Sequence, residues 1–112
     1  MFPMQGAAAA ENGVFQALAD PSRRAIFESL ARGEAAVKEL TARFDISQPA
    51  VSQHLAALRE AALVHGRREG RRVYYRVEPC GMKPLVDWMA RYRAFWTERV
   101  DRLERLLEGM DP

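Results

Sequence analysis

The chain has 112 residues, a length that suits one compact domain and is short for two. Its 48% hydrophobic and 29% charged content is that of a folded globular domain and argues against disorder as the main state. The net charge of +2 is too small to name a partner. No run approaches the 18 apolar residues of a membrane span, and the single cysteine, Cys80, rules out an intramolecular disulfide framework and a multi-cysteine zinc site.

Residues 1–7 carry no clear pattern and are expected to form a frayed, disordered lead-in. The spacing of Val14, Phe15 and Leu18 predicts a first helix from Ala8 to Ala19. It stops at Asp20-Pro21, where Asp20 is a good N-cap and Pro21 suits a first helical position, so a second helix starts there. Ile26, Phe27 and Leu30 point inward, and Gly33 sits where a C-cap glycine belongs. A third helix covers Val37 to Phe44. After the break Asp45-Ile46-Ser47, Ser47 caps a fourth, with Val51, Leu55, Leu58 and Ala62 as its apolar stripe. Two short helices joined by so tight a turn, within 37–62, read as helix-turn-helix.

The period then changes to two. Val73, Tyr75 and Val77 alternate with Arg72, Tyr74 and Arg76, which predicts a half-buried strand paired with Val64 to Arg68 in a hairpin spanning 64–77. With Glu69 and Gly70 at the turn centre, Val64 falls opposite Tyr75, Arg68 opposite Arg71 and Arg67 opposite Arg72. The last element is one long helix over 84–108, opened by Pro84. One face carries Leu85, Trp88, Met89, Tyr92, Phe95, Trp96, Val100, Leu103, Leu106 and Leu107. Asp87/Arg91, Glu98/Arg102 and Asp101/Arg105 are acid-before-base pairs at i, i+4 on the other side. The fold class is mainly α with a small β-hairpin: a single winged helix-turn-helix domain with a long C-terminal helix.

Three segments in this order resemble the ArsR-type (ArsR/SmtB-like) bacterial transcription regulators: FQALADPSRRAIF at 15–27 their opening signature, ISQPAVSQHLAAL at 46–58 their recognition helix, and LVHGRREGRRVYYR at 63–76 their wing. The resemblance covers roughly residues 14–108. It implies a winged helix-turn-helix fold, a homodimer and double-stranded DNA as partner.

The residues themselves point the same way. Around the apolar stripe of the fourth helix, Gln48, Ser52, Gln53 and Arg59 face outward, with Ser47 at its start. Gln pairs bidentately with adenine, and Ser pairs with either kind of base. His54, on the flank of the stripe, suits phosphate contact or half-buried packing. Arg67, Arg68, Arg71 and Arg72, with Arg76 and against Glu69, give the hairpin 65–76 a charge of +4, leaving −2 for the remaining residues. Arg matches phosphate bidentately, which Lys does not, and like charges facing each other across a hairpin tip are better explained by an external polyanion than by folding. Arg23 and Arg24 suit either phosphate contact or structural ion pairs.

On the C-terminal helix the aromatic-rich stripe exceeds what a small winged domain needs to cover its core. The surplus, Trp88, Tyr92, Phe95, Trp96, Val100 and Leu103, together with Val14 and Leu18 of the first helix, is expected at a homodimer interface. The metal sites best known in relatives are a Cys-x-Cys pair before the turn or Asp and His ligands on the last helix. Here the first stretch reads Lys38-Glu39-Leu40-Thr41 and the last helix has no histidine, so no metal and no cofactor is expected. Cys80 reads as a small spacer, with a redox role as the alternative. Ala36 stands where relatives have a capping Thr or Ser. No glycine-rich phosphate loop or Cys/His set supports enzyme chemistry.

The expectation is a cytoplasmic, dimeric, sequence-specific DNA-binding regulator acting as a repressor on an inverted repeat, its effector unspecified. The alternative is a winged-helix adaptor that recruits another protein without binding DNA. An adaptor needs an exposed apolar patch outside the dimer seam, and 46–76 offers none in sequence.

Overall fold

In the computed structural model, which describes residues 7–110, helix α1 (Ala7–Ala19) and helix α2 (Pro21–Arg32) are separated by Asp20 alone. Asp20 is extended, at φ −75° and ψ 123°, and its carboxylate accepts the Arg23 backbone N–H at 2.9 Å, so the predicted cap starts the second helix. The lead-in expected at residues 1–7 lies outside the described residues except for Ala7, which opens α1.

Strand β1 (Ala35–Ala36) leads into α3 (Val37–Phe44). Ala36 has no side-chain cap to offer, and the Glu39 carboxylate compensates by accepting the Ala36 N–H at 3.1 Å. Asp45 takes the left-handed conformation, φ 52°, that turns the chain out of α3. Ser47 Oγ accepts the Ala50 N–H at 3.2 Å and starts α4 (Gln48–Glu60). Val51, Leu55 and Leu58 are fully buried, as the stripe predicts. Ala62 departs from it: the helix ends at Glu60, and Ala62 is exposed at φ 61° in the following turn.

Strands β2 (Val64–Glu69) and β3 (Arg72–Val77) form the hairpin, and β1 adds to the other side of β3, giving the antiparallel order β1-β3-β2. A two-residue strand carries no periodicity, so β1 was invisible in the sequence. The hairpin register corrects the expectation by two residues. Val64 faces Val77, Gly66 faces Tyr75, Arg67 faces Tyr74, Arg68 faces Val73 and Glu69 faces Arg72. The turn is centred on Gly70 and Arg71, with Gly70 at φ 62° and Arg71 at negative φ. That is the pattern of a primed turn with glycine at its first central position, whose twist matches the strands. A slip of two keeps each side chain on its expected face but changes its partner. The arginines therefore do not stack on one another.

The core gathers Val14 and Ala17 of α1, Ile26 and Leu30 of α2, Leu40 of α3, the α4 stripe, and Leu63 and Val64 at the base of the hairpin. Val14 is 1% exposed, so this expected interface residue belongs to the protomer's own core; Leu18 is half-buried against that core.

The single C-terminal helix is also corrected. A 3-10 turn (Pro79–Met82) precedes α5 (Lys83–Arg91), and α6 (Arg93–Gly109) follows after a break at Tyr92, φ −111° and ψ 11°. Neither Pro nor Gly lies at the break. The Trp88 ring packs at a tilt against Tyr92, 5.3 Å between centres, and Trp96, 6.4 Å. Two residues eight apart on a straight helix are separated by about 12 Å along its axis, so the bend lets these rings cover one another. Edge-to-face contact of Trp88 with Phe15 at 5.5 Å and an Arg91–Glu11 ion pair dock α5 on α1. Arg91 is thus taken from its expected partner Asp87, which pairs with Lys83 at 2.7 Å; Glu98–Arg102 forms as expected, at 3.4 Å. Every residue of α6 is exposed. The radius of gyration, 17.9 Å, exceeds the roughly 13 Å of a compact chain this long because α6 projects from the domain.

Candidate nucleic-acid interface

The fold turns one row of α4 into the core and the other outward. Gln48, Ser52, Gln53 and Arg59 are all exposed, and none of their side chains is engaged in a hydrogen bond or ion pair within the protein among the described residues. Ser47 is exposed too, but its hydroxyl oxygen is occupied by the cap to Ala50. His54 is half-buried and within electrostatic reach of Asp20. The Arg23 backbone N–H holds the Asp20 carboxyl below the usual aspartate range, and the charges of His54 and Arg23 add to it.

Arg24 donates to the Leu18 carbonyl at 3.1 Å, a structural role. The side chain of Arg23 is half-buried, with Nε enclosed and without a protein partner.

The wing arginines divide into two groups. Arg68, Arg71 and Arg72 are exposed and carry no ion pair among the described residues. Arg67 is engaged three ways. Its Nε and Nη2 donate to the two Glu34 carboxylate oxygens at 3.2 and 2.5 Å, its Nη1 donates to Glu69 at 3.0 Å, and its guanidinium lies 5.2 Å from the centre of the Tyr74 ring. The bond from Arg67 pulls the Glu34 carboxyl below its ordinary range, and the two carboxylates raise the Arg67 guanidinium further. Arg76 donates from Nε to His65 Nε2 at 2.6 Å, and the other ring nitrogen, Nδ1, lies 2.8 Å from the Glu78 carboxylate. Sequence reasoning missed the Glu34–Arg67 contact. Glu34 is one acidic residue in a short linker, and only the sheet order brings it near the wing.

Among the described residues the exposed large apolar side chains fall at Phe15 and within 86–110; none lies in 46–76. Among the described residues no three His, Cys, Asp or Glu side chains gather closely enough to hold a metal ion. Cys80 is exposed and free. No helix among the described residues is long and apolar enough to cross a membrane.

A polar helix row beside a basic hairpin is the arrangement by which winged domains meet duplex DNA, the helix in the major groove and the wing on the backbone. Comparison with known proteins agrees. Residues 20–65 match the family model described as "Bacterial regulatory protein, arsR family". The HTH-type transcriptional regulator Rv2034 of Mycobacterium tuberculosis is 44% identical over 95 residues, covering 85% of this chain and 86% of that protein. The transcriptional repressor SdpR of Bacillus subtilis is 32% identical, covering 72% of this chain and 90% of that one. An ArsR-like transcriptional regulator from Rhodococcus sp. RHA1 superposes with a TM-score of 0.74 at 28% identity, over 91% of this chain and 96% of its own. With the fold, the outward row of α4 and the basic wing in place, the chain belongs to the ArsR family of DNA-binding transcriptional regulators.

Proposed function

We propose that the protein works as a cytoplasmic homodimeric repressor that binds an inverted-repeat operator in double-stranded DNA. In this reading Gln48, Ser52 and Gln53 read base edges, Ser47, His54 and Arg59 flank them, and Arg68, Arg71 and Arg72 meet phosphates. The observation that carries it is the pairing of an outward polar row on α4 with three wing arginines that have no bonded partner among the described residues. Unpaired guanidinium groups beside groove-reading side chains fit a phosphate backbone. The lack of an exposed large apolar residue in 46–76 speaks against a protein-recruiting adaptor.

The dimer is supported by what α5 and α6 expose. Trp96, Val100, Leu103, Leu107 and Met110 recur at steps of four and three, and each is about half exposed or more. A 17-residue helix with such a face is marginal alone in water and gains stability by packing on a second copy. Two-fold symmetry then sets two copies of α4 about one DNA turn, roughly 34 Å, apart. Occlusion of polymerase is the simplest action for a small dimer bound at a promoter.

The test is selection of duplex fragments from genomic DNA by the full chain. The proposal expects enrichment of fragments sharing an inverted repeat with half-sites about one turn apart. Uniform recovery of all fragments, or of none, would overturn it.

A further inference from the structure

We infer that Arg67 and Glu34 form a clamp that sets the pose of the wing on DNA, and that Arg67, alone among the four tip arginines, is not a phosphate ligand. The inference rests on the DNA-binding reading above and deepens it by assigning a positioning pair.

The geometry follows from the sheet order. Arg67 stands on β2, the outer strand, and faces Tyr74 on the central β3. Tyr74 in turn faces Ala36 on β1, and Glu34 lies two residues before it. The Arg67 side chain runs over the Tyr74 ring and ends in a two-point bond to the Glu34 carboxylate. One side chain thus reaches from β2 across β3 to the residue just before β1, joining the linker after α2 to the arm of the wing. A fork on both oxygens of one carboxylate fixes direction as well as distance.

The same contacts make Arg67 a poor partner for phosphate. Three of its five donors are used, and Glu34 with Glu69 brings the local charge of the group to −1. An approaching phosphate meets two carboxylates around this guanidinium. Arg68, Arg71 and Arg72 have no such neighbours bonded to them among the described residues. Without the clamp the hairpin keeps its own ladder to β3 but loses the side-chain tie to the HTH side of the sheet, and the free arginines lose their aim.

Salt-titrated binding of the full chain to one duplex recovered by the selection tests this, with melting curves confirming that each variant folds. The clamp predicts that Glu34→Gln, although it removes a negative charge, weakens binding about fivefold. Arg67→Gln weakens it similarly, the double variant costs no more than either alone, and the slope of log affinity against log salt stays at the wild-type value in all three. Arg67→Lys keeps the charge but lacks the fork, and is expected to bind as weakly as Arg67→Gln. Tighter binding by Glu34→Gln, a slope shallower by about 0.9 per lost contact in Arg67→Gln, or near-wild-type binding by Arg67→Lys would each overturn the clamp while leaving DNA binding intact. A wild-type chain that binds no duplex would overturn both readings.

Discussion

A Cβ on Gly81 would stand 1.8 Å from the Ala62 carbonyl oxygen, so the chain after the wing lies directly on the turn that ends α4. Gly81→Ala must push that backbone apart and is expected to cost about 2 kcal/mol in urea unfolding. Ala62, on the other side of the contact, holds φ 61° without being glycine. Ala62→Gly removes that penalty and is expected to raise stability by about 1 kcal/mol. Glu34 gives a pH signature. Arg67 depresses its folded-state pKa, so its contribution is fully present above the unfolded glutamate value and is lost as pH falls through the folded value. The difference in urea midpoint between wild type and Glu34→Gln should therefore stay constant from neutral pH to about pH 5 and shrink below about pH 4.3. A difference that changes between pH 7 and 5 would point to another group.

The elements differ in how far their residue types specify them. Ser47 ends the turn and begins α4 through one hydroxyl; Ser47→Ala is expected to lower stability by about 1 kcal/mol, read from urea melts. Caps and buried stripes of this kind were legible because they are local: Asp20, Ser47 and the row Val51, Leu55, Leu58 act within a turn or two of their own helix. The hairpin was legible as a hairpin but not in register. Gly70 marks a turn without saying which central position it fills, and the two choices differ by two residues in partner. In the observed register no two arginines face each other across the tip, whereas the charge of the wing, a property of composition, does not depend on register. The long final helix read as continuous because its apolar period passes through Tyr92 unbroken. The bend there depends on ring contacts between Trp88 and Trp96, which no local pattern records. The Glu34–Arg67 contact, spanning 33 positions, was out of reach for the same reason.

Across the whole domain, two surfaces stand uncovered by the described residues: the outward row of α4 with the wing tip, and the apolar face of α5 and α6. They are coupled if the second sets the spacing of the first. Leu103→Glu places a charge in the middle of the α6 face; on the proposed dimer, sedimentation at micromolar concentration should show a shift toward monomer, with DNA affinity falling at least tenfold as the two half-sites lose their connection. A variant that remains dimeric would place the seam elsewhere. If α4 and the free wing arginines hold duplex DNA, the salt dependence of binding counts the phosphates they contact. Each lost phosphate contact lowers the slope of log affinity against log salt by about 0.9, so replacing Arg68, Arg71 and Arg72 with alanine on both wings of a dimer should make it shallower by about 5. A triple variant with the wild-type slope would contradict the account.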